Sequence, residues 1–291
     1  MKAYILSLNK DAHLTQQWDY GMLKDLLEGR MWTTPDWEDF EVIESDYLPK
    51  QERAIVAIAA RHHAGLEEEI NHELDKIGNC VLFLMGDEEA DFDVKKIRKN
   101  NMHIWVQNPH MGKHDDYDRI GTGYPQHIHS NLPEKLEKDI DIFFAGQITH
   151  NRRTDLIEAL ENVDMSKRVI KTEGFTQGMK PKEYYRYLTS ANFAPCPSGA
   201  VIPDSFRLFE ALECMAIPIA DKKTPGGDKL EYWDWLFKAI TPFPQIDNWY
   251  VIESAISGQV DNPKHHINIQ TEWWIKWKRN FVYKVMEQLH E

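Results

Sequence analysis

The sequence predicts an α/β fold of two successive domains, each a parallel sheet covered by helices, and three observations carry this. Short runs that are apolar throughout, such as residues 54–60 and 80–85, alternate with amphipathic stretches of helical period. Strands buried on both faces of a parallel sheet have that spelling, and crossover helices must lie between them. The rhythm lapses between residues 108 and 139 into Pro, Gly, His and charged residues and then restarts, as a functional loop or inter-domain link would. The length, 291 residues, suits one large domain or two ordinary ones.

Taken in order, residues 2–8 read as a strand and 15–27 as a helix, with Trp18, Met22, Leu23, Leu26 and Leu27 near one face. Strands follow at 40–43 and 54–60, a helix at 66–77, then buried strands at 80–85 and 103–107. After the lapse the elements are strand 140–144, helix 153–160, strand 168–171, helix 181–189, strand 193–196, helix 205–214 and strand 217–220. Helices at 249–256 and 271–290 close the chain, the last carrying Trp273, Trp274, Trp277, Phe281 and Val285. Aromatics at that spacing pack on the body of a protein. The domains are therefore placed at 1–125 and 126–270, with residues 271–291 as a helix crossing back to the first. This is an architecture of two Rossmann-like domains facing across a cleft, in which ligands sit beyond the carboxyl ends of the strands.

Composition excludes several classes. Apolar residues make up 42% and aromatics 11%, against 15 Gly and 14 Pro, which is too rich in core formers for a disordered or fibrous chain. No apolar run approaches the roughly 20 residues of a bilayer-spanning helix, and the N-terminal apolar stretch is too short for a secretory signal. Cys80, Cys196 and Cys214 are an odd set without Cys-x-x-Cys spacing, which predicts buried thiols in a reducing, cytoplasmic setting. The net charge of −13 is uneven: residues 1–139 hold 16 basic and 27 acidic side chains, residues 140–291 hold 18 and 20. The second half can hold a small anion without opposing its own field.

The most informative segment is residues 193–220. A buried strand enters a Pro/Gly loop, Asp204 or Ser205 caps a helix, and another strand follows. A helix start presents N–H groups and the positive end of the dipole, which suits a phosphate. Arg207 and Glu210 share one face. A guanidinium there grips a diphosphate, and a carboxylate one turn on accepts ribose hydroxyls. An ordinary surface ion pair has the same spacing. Upstream, a strand ends at Gly146, and Thr149, Arg152 and Arg153 lead into a helix. The glycine admits close backbone approach and the arginines add charge.

These segments resemble the nucleotide-binding domain of GT-B glycosyltransferases, most closely the exostosin-like group, where a Ser-x-Arg-x-x-Glu-Ala-Leu helix precedes a Gly-Cys-Ile-Pro-Val strand. Here Ser205, Arg207, Glu210, Ala211 and Leu212 match, followed by Ile217 and Pro218, while Met215 and Ala216 replace the usual Gly-Cys. The same part is similar to the T-even phage DNA β-glucosyltransferase. The likeness covers residues 140–260. It implies a UDP-sugar as co-substrate, no tightly bound cofactor, and base-holding backbone near residues 173–179, with Phe175 or Met179 packing on the base.

Inverting transfer also needs a base for the acceptor hydroxyl, which the resemblance places in the first domain. The acidic run at Asp87 and Glu88 follows a buried strand, and neighbouring carboxylates raise one another's pKa. A solvated acidic loop has the same spelling. His62, His63 and His110 are further candidates. No ligand set with recognisable spacing completes a metal site around the 13 histidines, so a metal-independent reaction is expected. Two Asp-x-Asp triplets, at Asp91 and Asp139, match metal-dependent transferases only in spelling. No Walker loop or full dinucleotide fingerprint appears.

The expected function is thus transfer of a hexose or pentose from a UDP-sugar to a bacterial or viral glycan. A hydroxymethylated base in phage DNA is the alternative acceptor. The acidic first half opposes a DNA surface, apart from a local stripe at Lys95, Lys96, Arg98 and Lys99. A non-catalytic glycan- or nucleotide-binding module of the same fold is the third reading.

Overall fold

A computed structural model describes residues 2–9, 16–29, 40–98, 101–134, 137–174 and 178–291. The chain is mixed α/β with two parallel sheets. It divides into two compact units: unit 1 is Met1–Gln126 with Trp277–Glu291, and unit 2 is His127–Lys276.

Unit 1 carries a six-stranded sheet in the order β2-β1-β3-β4-β5-β6. Its strands are β1 (Lys2–Leu6), β2 (Glu41–Ser45), β3 (Gln51–Ala59), β4 (Ile77–Met85), β5 (Met102–Gln107) and β6 (Asp118–Ile120). The central strands are buried on both faces, as their spelling requires: residues 54–59 of β3 and 80–85 of β4 are all buried. Leu6, Val56, Leu82 and Ile104 share one core with Ile70 and Leu74 of α3 (Glu67–Leu74).

The predicted helix at 15–27 is two helices, α1 (Gln16–Asp19) and α2 (Gly21–Leu27). The cause is tertiary, because Gly21 lies against the backbone of Tyr124, Pro125 and Gln126 with no room for a Cβ. The stretch read as a lapse holds β6 and the short α4 (Ile128–Asn131). The predicted helix at 66–77 stops at Leu74, since Ile77 already begins β4.

Unit 2 carries a five-stranded sheet in the order β11-β10-β9-β7-β8. Its strands are β7 (Ile140–Gly146), β8 (Lys167–Lys171), β9 (Ala191–Cys196), β10 (Ile217–Asp221) and β11 (Gln245–Ile246). Helices α5 (Asn151–Glu161), α6 (Pro181–Ser190) and α7 (Phe206–Glu213) connect them, followed by α8 (Tyr232–Phe237) and α9 (Ile252–Val260). Strand β7 pairs with both β8 and β9, so the chain reverses its direction of travel across the sheet there. Ligands of open parallel sheets bind at the carboxyl ends flanking such a reversal.

The last helix, α10, runs over Pro263–His290, eight residues longer at its start than the aromatic pattern indicated. Its first part belongs to unit 2, where Trp274 stacks near Phe209 at 6.0 Å and donates to Glu213 Oε2 at 2.8 Å. Its last part belongs to unit 1, where Phe281 meets Trp105 edge-on at 4.8 Å and Gln288 accepts from the Trp105 indole at 2.8 Å. No helix among the described residues is long and apolar enough to cross a membrane.

Candidate functional site

The reversal in unit 2 places the loop after β7 beside the loop after β9. Helix α5 starts from the first loop with His150 as N-cap, and α7 starts from the second with Ser205 as N-cap. Neither N-cap side chain bonds a first-turn amide, so two helix N-termini keep N–H groups for another acceptor. Ser205 instead donates to Pro197 O at 3.4 Å.

Arg207, in the first turn of α7, donates from Nη2 to Ala145 O at 2.5 Å, and its guanidinium lies 4.7 Å from the Phe144 ring centroid. A Cβ on residue 146 would collide with Nη2, so a side chain there would displace the guanidinium. Arg153 donates to Gln147 O at 3.1 Å and Ser198 O at 3.2 Å, bridging the two loops. His150 Nε2 bonds Ser198 O at 3.2 Å. Burial first, and then the Arg153 charge, lowers the His150 pKa. Ser198 Oγ, His150 Nδ1 and Arg207 Nε are buried without a hydrogen-bond partner. A buried polar atom of that kind is left for water or a ligand to satisfy.

The remaining sequence candidates fall into different places. Arg152 is a correction: its guanidinium is buried and grips Asp221 through Nε at 3.1 Å and Nη2 at 2.6 Å, so it braces the site from behind. Asp221, fully buried at the end of β10, also accepts from the Trp249 indole and from the Ser198 and Lys223 amides. Glu210 is a second correction. Its buried carboxylate already accepts from Tyr184 at 2.9 Å and Tyr185 at 2.7 Å, and desolvation raises its pKa against those bonds and the Arg207 charge. It orders two tyrosines. Thr149 is exposed on the first loop, Met179 is half-buried, and Phe175 lies outside the described residues.

Unit 1 has its own reorganised candidates. Asp87 is buried, and its two carboxylate oxygens accept from the Asp91 and Phe92 amides at 2.9 and 3.0 Å. It staples its loop and is corrected as a base. Glu88 is half-buried, and its neighbour is a residue that sequence reasoning missed, Asp19. The Asp19 carboxylate occupies the space a Cβ on Gly86 would need, where φ is +67°. Burial first, and then the Glu88 charge, raises Asp19 to about 7. Gln107 assembles this corner by donating to Asp19 O and Thr122 O while accepting from the Gly86 amide. The missed signal was the glycine directly after a buried strand.

Two of the histidine candidates have ring nitrogens engaged by the fold. His63 is fully buried, with Nδ1 bonded to Ala59 O at 2.8 Å and Nε2 accepting from the Leu8 amide at 3.0 Å. His110 Nε2 bonds Glu88 O at 2.7 Å, and the His62 carbonyl accepts from Asn9. The basic stripe is neutralised in part, because Lys96 pairs with Glu67, and Arg98 with Asp75 and Glu68. Lys99 lies outside the described residues. Among the described residues no group of three or more His, Cys, Asp or Glu is placed to hold a metal ion. Compared with known proteins, the chain matches no family model, and no curated protein matches it.

Proposed function

We propose that the protein is a GT-B type glycosyltransferase, with unit 2 binding a nucleoside-diphosphate sugar, in its simplest form a UDP-sugar. One observation carries the reading: Arg207, seated against Gly146, stands beside two uncapped helix N-termini at the sheet reversal. A pyrophosphate is the ligand chemistry that uses a fixed guanidinium and two sets of backbone N–H donors together.

In the reaction, the bond between the sugar's anomeric carbon and the pyrophosphate breaks as the acceptor oxygen bonds that carbon. The diphosphate leaves with the electron pair, and Arg207, Arg153 and the helix N-termini stabilise its charge. The acceptor's proton goes to a general base, for which Asp19 of unit 1 is the candidate by its basicity alone. A carboxylate held at about 7 is matched to that task near neutral pH.

The test is calorimetric titration with UDP, GDP and ADP, followed by release of free nucleotide from a panel of UDP-sugars. The wild type is expected to bind UDP, and Arg207→Ala to weaken it about 10- to 100-fold, the 1.5–3 kcal/mol of a hydrogen bond to a charged group. Absence of binding to every nucleotide, or an Arg207→Ala variant with wild-type affinity, overturns the reading. UDP binding without release from any UDP-sugar and acceptor returns the protein to a binding module.

A further inference from the structure

Residues 165–190 hold six basic side chains against two acidic ones, in a chain whose net charge is −13. Five of them lie on two neighbouring elements of unit 2. Strand β8 is the edge strand of its sheet and exposes Lys167, Arg168 and Lys171, while α6 exposes Lys182 and Arg186. Between the two elements lies Tyr187. The Arg168 guanidinium is 3.7 Å from its ring centroid and the Arg186 guanidinium 4.6 Å.

This pair differs from three arginines that carboxylates hold. Arg61 pairs with Glu89, Arg98 with Glu68 and Asp75, and Arg152 with Asp221. Among the described residues neither Arg168 nor Arg186 forms an ion pair with a carboxylate. A ring face orients a guanidinium but leaves its charge and most of its N–H donors unsatisfied. Lysines on an edge strand are a common guard against strand pairing, and that accounts for Lys167 and Lys171. It does not account for two arginines drawn onto one tyrosine, where each repels the other.

We propose that the edge formed by β8 and the exposed ridge of α6 docks the phosphodiester backbone of a nucleic acid. Oriented guanidiniums match phosphate oxygens in pairs, and the lysines extend the track to several phosphates. Among the described residues of this stretch no large hydrophobic side chain is exposed, which gives a lipid surface little to receive. The register gives the track a direction: Lys171 pairs with Gly146 across β7 and β8, so the basic edge begins beside the loop assigned to the donor diphosphate. The inference goes beyond the donor reading, and the surface stands whether or not that reading does.

The experiment is fluorescence anisotropy of a labelled 25-base-pair duplex titrated with the full chain from 50 to 200 mM KCl. About five neutralised phosphates predict a loss of roughly 10²- to 10³-fold in affinity over that range. Arg168→Glu with Arg186→Glu is expected to abolish binding, and Arg168→Gln with Arg186→Gln to weaken it at least about tenfold and flatten the salt slope by about 1.8. Lys95→Glu, away from the track, leaves it unchanged. No duplex binding at 50 mM KCl, glutamine and glutamate variants that bind like wild type, or binding to sulfated oligosaccharide in place of the duplex, each overturns the proposal. UDP titration of the same variants stays at wild-type affinity, which separates failure here from failure of the donor site.

Discussion

Gly146 and Arg207 are matched by volume: Nη2 of Arg207 fills the space that a Cβ on residue 146 would take and bonds the carbonyl of Ala145 just before it. The glycine's φ is ordinary, so the guanidinium is what a side chain here would displace. Gly146→Ala is therefore expected to expel the guanidinium from its seat while leaving the sheet intact. UDP affinity should fall by about the same 10- to 100-fold as in Arg207→Ala. The double variant Gly146→Ala/Arg207→Ala should fall no further, because both changes remove one interaction. Additive losses in a double-mutant cycle would show that the two residues act separately.

Asp19 gives a second prediction, with a sign. A base works only when deprotonated, so the rate should rise with pH through the Asp19 value of about 7 and level off above it. Asp19→Asn should lower kcat about 10²- to 10⁴-fold and abolish that limb. Glu88→Gln removes the smaller of the two causes that raise Asp19, so the limb should persist at a lower pH. A limb unmoved by both substitutions would assign the titration to another group.

The residues that were legible in the sequence are those whose role is local. β3 and β4 announce themselves because every residue of their inner turns is apolar. The start of α7 did so because a serine, an arginine and a Pro/Gly loop fall within one short segment. What escaped depends on distant partners. β6 is three residues with two charges, and it is held by Lys284 and Gln288 bonding Asp118 from the far end of the chain. Arg152 looks like a phosphate ligand until Asp221, 69 residues away, claims it. Asp19 acquires its raised pKa only where the fold buries it against Gly86 and sets Glu88 near. The start of α10 was legible in principle, since Pro263 occupies a first-turn position that favours proline.

Met215 offers a prediction about stability. It follows α7 with φ at +54°, the left-handed conformation that closes a helix, and the Ala216 amide returns to Ala211 O at 2.9 Å as such a closure requires. A side chain in that conformation costs about 1–2 kcal/mol, part of which glycine returns through its greater freedom when unfolded. Met215→Gly is therefore expected to stabilise the protein by about 0.5–1 kcal/mol. Thermal or urea unfolding measures it, and a destabilised variant would show that the half-buried methionine contributes more by packing than its backbone costs.

His63 and His114 predict how stability responds to acid. Each uses one ring nitrogen as an acceptor from a backbone amide, Leu8 to His63 Nε2 and His110 to His114 Nδ1, and protonation destroys both acceptors. Burial is the leading cause that lowers both pKa values, His114 to about 4. The unfolded chain takes up these protons near 6.5 while the folded chain resists them, so it binds more protons than the fold does below that pH. Stability is then complete above about 6.5 and lost as pH falls toward the folded values. His114→Asn, whose side-chain oxygen can replace Nδ1 as acceptor without titrating, should flatten the dependence of the unfolding midpoint on pH between 6.5 and 4. A variant with the wild-type slope across that window would mean that His114 is not protonated on unfolding and that carboxylates set the acid limit.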